Sequence, residues 1–266
     1  MSLVDEWPVP HVATGVTDPD GVLALHGDPH RIFRLASISK LLAAWASLVA
    51  VEEGTVDLDT PAGPEGSTVR HLLAHASGLD FDSNEIRSAP GRRRIYSNTG
   101  IEVLADTVVE HSGLPFETYL REGVLDPLAM TATTLEGSPA HGVHSNVLDL
   151  ARFGRELLTP TLLAPETVAA AFEPAWPDLA GVLPGIGRFN PLPWGLGFEI
   201  RGTKDPHWTG VGNSPRTVGH FGGSGTFLWM DPAIRRACVC LTDRPFDTWA
   251  LGHWPALSEA ALAPLS

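Results

Sequence analysis

Two short runs of mostly apolar and β-branched residues, Val12 to Thr17 and Val22 to His26, flank Asp18-Pro19-Asp20-Gly21. Proline and glycine suit a tight reversal, so the segment predicts an opening β-hairpin. From Ala36 to Glu53 the apolar positions Leu41, Leu42, Trp45, Leu48 and Val49 recur at helical spacing, and Gly54 follows as a C-terminal stop. This predicts a central helix. Between residues 60 and 190 the pattern breaks into helical pieces cut by glycine and proline, at 68–74, 99–110, 115–120, 147–158 and 165–172. Past Trp194 the texture changes to strand-like runs at 197–201, 217–221, 226–230 and 237–242. A last helix is expected over 247–262, with Pro255 kinking it or marking its true start.

Strands at both ends with helices between them imply an α/β chain of the α+β type, in which the two termini pair into one antiparallel sheet flanked by helices. Residues 1–59 and 191–266 would form the sheet domain and residues 60–190 a mainly helical insert, with the seam between them as the natural cleft. There is no internal repeat and no low-complexity tract.

Composition narrows the function. With 266 residues, 43% of them apolar and 18% charged, the chain can bury a substantial core. A formal net charge of −13 offers no basic surface to phosphate backbones or anionic lipid, so neither a nucleic-acid nor a membrane role is expected. The longest near-apolar stretch, Leu41 to Val51, is too short to span a bilayer. The first residues carry two early acids and lack the basic start and apolar run of a secretory signal, which gives the expectation of a cytoplasmic protein. The two cysteines, Cys238 and Cys240, are expected to leave opposite faces of a strand and to form no bridge.

Three segments carry candidate chemistry. Ser37-Ile38-Ser39-Lys40 stands at the start of the central helix, where positions i and i+3 share a face, so Lys40 can reach Ser37 and not Ser39. A helix N-terminus also favours negative charge on the serine oxygen. Tyr96-Ser97-Asn98 follows in a stretch rich in glycine and arginine. A phenol aimed at a serine can act as general base where nearby positive charge lowers its pKa from about 10. Taken alone, the tyrosine is better read as a structural hydrogen-bonding residue. Third, Gly219-His220-Phe221-Gly222-Gly223-Ser224 ends a predicted strand whose low bulk lets a substrate approach the backbone. Such an edge can offer an N–H to an oxyanion, although a glycine-rich turn explains it equally well.

The order Ser-x-x-Lys, Tyr-x-Asn, His-x-Gly at positions 37, 96 and 220 resembles the three motifs of the serine β-lactamase-like family, particularly its branch of class C β-lactamases, penicillin-binding proteins and esterases. The segments at 33–37, 52–59, 72–79 and 149–154 look like family landmarks as well. The resemblance implies the β-lactamase-like fold, with Ser37 as acylated nucleophile, Lys40 as its proton partner, and Tyr96 as general base and acid. It further implies Asn98 orienting the substrate, His220 and Gly222 at the substrate-binding strand, and an oxyanion hole from the N–H groups of Ser37 and Gly223. Relatives with Lys-Thr-Gly at the third motif have a lysine where this chain has His220, so the resemblance points to an esterase on a small ester or amide substrate, with no cofactor. Alternatives on the same site are an acyltransferase of small-molecule biosynthesis and a β-lactamase or D-amino-acid peptidase. A silent binding protein on this fold is a more remote one, since the intact trio argues against it.

His71 and His75, four residues apart, could share a metal, yet no glutamate follows His71 in an H-E-x-x-H pattern and no third ligand is evident, so helix packing is the expected use. No Gly-x-Ser-x-Gly elbow supports a Ser-His-Asp hydrolase, and no phosphate loop or dinucleotide fingerprint occurs.

Overall fold

Helix α1 (Ser39–Glu52) is buried on every side from Ser39 to Ala50, which explains why its sequence has no polar stripe. It is the centre of the larger of two apolar clusters in the computed structural model, which describes residues 2–263. A single 3-10 turn, Ala36–Ile38, precedes it, so the expected helix start is present in a tighter form.

The opening hairpin forms as expected, β1 (Val12–Thr17) with β2 (Val22–His26). Short strands β3 (Phe33–Arg34), β4 (Thr134–Leu135) and β5 (Val143–Ser145) make a small sheet of order β3-β5-β4. The helical pieces are α2 (Val69–Leu73), α3 (Asn98–Ser112), α4 (Phe116–Leu120), α5 (Val147–Leu158) and α6 (Pro165–Phe172). A two-stranded ribbon, β6 (Gly181–Leu183) with β7 (Gly187–Phe189), follows. Neither it nor the β3-β5-β4 sheet was expected of a mainly helical middle, because strands of two or three residues carry no readable alternation.

Strands β8 (Glu199–Ile200), β9 (Val218–Gly222), β10 (Thr226–Asp231) and β11 (Arg236–Thr242) complete a six-stranded antiparallel sheet of order β2-β1-β11-β10-β9-β8. The termini do pair: Val12 lies opposite Thr242 and Thr17 opposite Ala237. Helix α5, placed by sequence in the insert, packs on β1, β10 and β11 instead. Small residues permit it: a Cβ on Gly154 would stand 3.0 Å from the Ala237 methyl. Helix α7 (Thr248–Leu262), capped by Asp247, covers the other face with Trp254 against Phe227. It continues through Pro255, so that proline is not its start; Trp249, Trp254 and Leu257 anchor the helix on both sides of it.

Cys238 and Cys240 correct the sequence reading. Residues i and i+2 of a strand share a face, and both thiols lie in the cluster beneath α7. They are free, and burial pushes both thiols up.

Candidate active site

Ser37 sits where β3, α1 and the end of β9 meet. The chain entering it is clamped: Leu35 N–H donates to Val143 O (2.9 Å), Thr226 Oγ1 to Leu35 O (2.8 Å) and Ser224 Oγ to Arg34 O (2.7 Å). A Cβ on Gly222 would overlap the Leu35 carbonyl, so only glycine lets β9 lie this close. Ala36 has φ +49°, a left-handed conformation rare outside glycine, directly before the serine. Gly223 has open space where a side chain would be and shares with Ala36 the wall of a cavity of about 450 Å³. Ser39, by contrast, is wholly buried and accepts a hydrogen bond from Val143 N–H (2.9 Å).

Lys40 is 1% exposed, and its Nζ has three partners: Ser37 Oγ at 3.3 Å, Asn98 Oδ1 at 2.5 Å and the Ala140 carbonyl at 2.9 Å. It also lies 4.8 Å from the centre of the Tyr96 ring. Burial lowers its pKa to about 7, with the charges of Asp82 and Glu102 opposing the fall. A neutral amine has two hydrogens and one lone pair. Asn98 and Ala140 offer two acceptors for those hydrogens, which leaves the lone pair for the Ser37 hydroxyl.

Tyr96 hydrogen-bonds Ser37 and lies 2.9 Å from His220 Nε2. Its expected pKa depression is absent. Burial pushes the phenol up, and the neighbouring carboxylates of Glu199 and Asp82 add to the rise, so Tyr96 holds its proton at neutral pH. Asn98 donates through its amide to Asp82 Oδ1 (2.7 Å) and accepts from Lys40, and so it orients the lysine.

His220 is 1% exposed, held in edge contact with Tyr96 and Trp194. Burial and the Lys40 charge lower its pKa to about 3, so the ring is neutral. Its Nδ1 has no partner among the described residues. Phe221 turns to the opposite face of β9, against Phe246 and Trp254, and leaves the cleft. A second cavity of about 410 Å³ opens beside Tyr96, walled by Phe81, Ile95, Val182 and Pro184, with Arg87 and Arg93 at its lining.

The two histidines weighed as metal ligands part ways. His71 stacks on Trp176 at 4.4 Å, while His75, beyond the end of α2 at φ +53°, accepts from Ser97 N–H and packs on Tyr96 and Trp194. Among the described residues no group of three or more His, Cys, Asp or Glu could hold a metal, and no helix is long and apolar enough to cross a membrane. Sequence reasoning missed Asp82, Glu102 and the Ala140 carbonyl. Glu102 was findable, being four residues after Asn98 on one helix face; nothing in the sequence marks the other two.

Comparison with known proteins bears on the family and the fold. The Beta-lactamase family model matches residues 4–261. The D-alanyl-D-alanine-carboxypeptidase/endopeptidase AmpH of Escherichia coli is 26% identical over 145 residues, 41% of this chain and 38% of that protein. Penicillin-binding protein 4* of Bacillus subtilis is 29% identical over 135 residues, 38% of this chain and 30% of its own. The matches thus take in well under half the length of these curated relatives. Among solved structures, a β-lactamase from Mycobacterium bovis, Mb2281c, superposes with TM-score 0.97 at 53% identity, covering 98% of this chain and 97% of its own. Simvastatin synthase (LovD) of Aspergillus terreus, at 18% identity and TM-score 0.78 over 98% and 95% of the two chains, shares the fold. With the family matched from end to end and the fold shared throughout, this chain belongs to the beta-lactamase family of serine hydrolases.

Proposed function

We propose that the protein is an esterase on small neutral esters, working through an acyl-enzyme on Ser37. The observation that carries the reading is the set of three partners around the Lys40 amine, which leaves its lone pair facing the one half-buried serine of the motif. Neutral Lys40 accepts the Ser37 proton as Oγ attacks the ester carbonyl, and the developing oxyanion lies at the N–H groups of Ser37 and Gly223. The alcohol leaves with a proton delivered by the Tyr96 hydroxyl, whose own proton is replaced from the Lys40 ammonium. His220, donating through Nε2–H to the Tyr96 oxygen, keeps the phenol's hydrogen turned toward Ser37. Water then attacks the acyl carbonyl and gives a proton to Lys40; the bond from Oγ to the acyl carbon breaks, the Lys40 ammonium returns that proton to Ser37 Oγ, and the acid leaves.

The preference for neutral esters rests on His220. A substrate carboxylate, such as the C-terminus of a D-alanyl-D-alanine peptide or the acid of a β-lactam, is attracted by a permanent cation, and a buried neutral imidazole supplies none. The apolar walls of the cavity beside Tyr96 suit a short hydrocarbon group. The test is the ratio of kcat/KM for nitrophenyl butyrate and nitrocefin, with the intact mass recorded after a fluorophosphonate. The expected result is a ratio well above one, lowered in folded His220→Lys, and a single adduct at Ser37. A preference for nitrocefin, or an adduct on Ser39 with Ser37 free, overturns the reading.

A further inference from the structure

Two carboxylates approach Lys40 from different sides without touching it. Asp82 accepts from Asn98 Nδ2 at 2.7 Å, and Asn98 Oδ1 accepts from Lys40 at 2.5 Å. Glu102, four residues after Asn98 on α3, accepts from Ser138 Oγ at 2.5 Å; Ser138 Oγ accepts from Ala140 N–H at 3.2 Å, and the Ala140 carbonyl accepts from Lys40 at 2.9 Å. Both routes are held firmly. Ser97 Oγ donates to Asp80 O (2.5 Å) and Asn98 N–H to Phe81 O (2.8 Å), which ties the loop bearing Asp82 to the start of α3.

We propose that Asp82 and Glu102 are positioning residues for Lys40, each acting through a hydrogen-bonded intermediary to hold the amine in balance between its ammonium and neutral forms. This rests on the reading of Lys40 as the proton acceptor for Ser37. A carboxylate in direct contact would lock the amine as an ammonium, and no carboxylate at all would leave burial to lower its titration further. Placed one intermediary away, the two charges pull the amine back toward protonation while its lone pair stays free for the serine. The other groups facing Lys40 are the Ser37 and Tyr96 hydroxyls and the imidazoles of His75 and His220, both kept neutral by burial. Asp82 and Glu102 are therefore the anions to which its titration answers.

The chain has two lysines, Lys40 and Lys204, so a sample with 13C-labelled lysine gives two ε-carbon signals, and Lys40→Met assigns them. Asp82→Asn and Glu102→Gln keep the hydrogen bonds and remove one charge each. In either variant the Lys40 titration should move to lower pH by about half a unit or more, and further in the double variant. Because the neutral amine is the active form, the acidic limb of kcat/KM should move down with it. A Lys40 titration unmoved or raised in both variants overturns the inference, since a merely structural role would alter activity without shifting the titration. A Lys40 titration that moves while the limb stays put upholds the inference and instead overturns Lys40 as the proton acceptor.

Discussion

The two lysines of the chain are both buried, and they are used in opposite ways. Lys204, in the turn after β8, lies 3.1 Å from Glu199 Oε1 and donates to the Ile200 carbonyl. Glu199 also accepts from Trp208 Nε1 (2.7 Å) and pairs with His207 Nε2 (2.9 Å). Burial alone would push the Glu199 carboxyl up, yet Lys204 and His207 outweigh it and hold it down at about 2. In this buried cluster the counter-charge touches the amine directly. Lys40 has no carboxylate in contact, and its amine stands near neutrality at about 7. Burial of both lysines thus yields a structural ion pair or an amine poised near neutrality according to whether the counter-charge touches it.

The comparison breaks most visibly by removing each lysine in turn. Lys40→Met should lower kcat/KM by roughly 10³-fold, as for a lost general base, while altering unfolding free energy by less than about 2 kcal/mol. Lys204→Met should do the reverse, costing about 3–5 kcal/mol in denaturant unfolding by leaving Glu199 with too little positive charge, with activity per folded molecule close to wild type. If both variants lose the same property, the two sites do not differ as described.

A smaller effect sharpens the division of labour inside the site. Tyr96→Phe should cut turnover roughly a hundredfold, the scale of a lost proton donor, and leave the Lys40 titration near its wild-type position. Near-normal turnover in this variant would return Tyr96 to a structural role. The smallest expected effect is none: EDTA should leave activity unchanged, because the proposed mechanism moves its protons through Lys40 and Tyr96. Activity lost to EDTA and restored by zinc would bring His71 and His75 back as ligands.

Much of the frame was readable along the chain because it depends on neighbours. The β1–β2 hairpin, α1 with its stop at Gly54, and α5 over Val147–Leu158 fall where periodicity and turn residues put them. Strands of two or three residues, such as β3 and β4, were not readable, since partners far along the chain define them. The packing of α5 on the sheet escaped for the same reason: its apolar face is evident, and the surface that receives it comes from residues 13–17 and 228–241. The cysteine pair was misread although it was local, because positions two apart on a strand share a face.

By itself the sequence determined what lies within a few residues of Ser37. One helical turn separates it from Lys40, and that spacing brings the two together in any structure where the helix forms. The sequence also determined, by subtraction, that no permanent cation occupies the third motif. The tertiary structure alone decided the chemistry of that pair. Asp82, Tyr96, Asn98, Glu102, Ala140 and His220 come from separate segments, and a pKa is set by the summed burial and charge of whatever surrounds a group, however far away in the chain. Hence Lys40 emerges as the group poised near neutrality and Tyr96 as the one that keeps its proton, an allocation no spacing of residues could express.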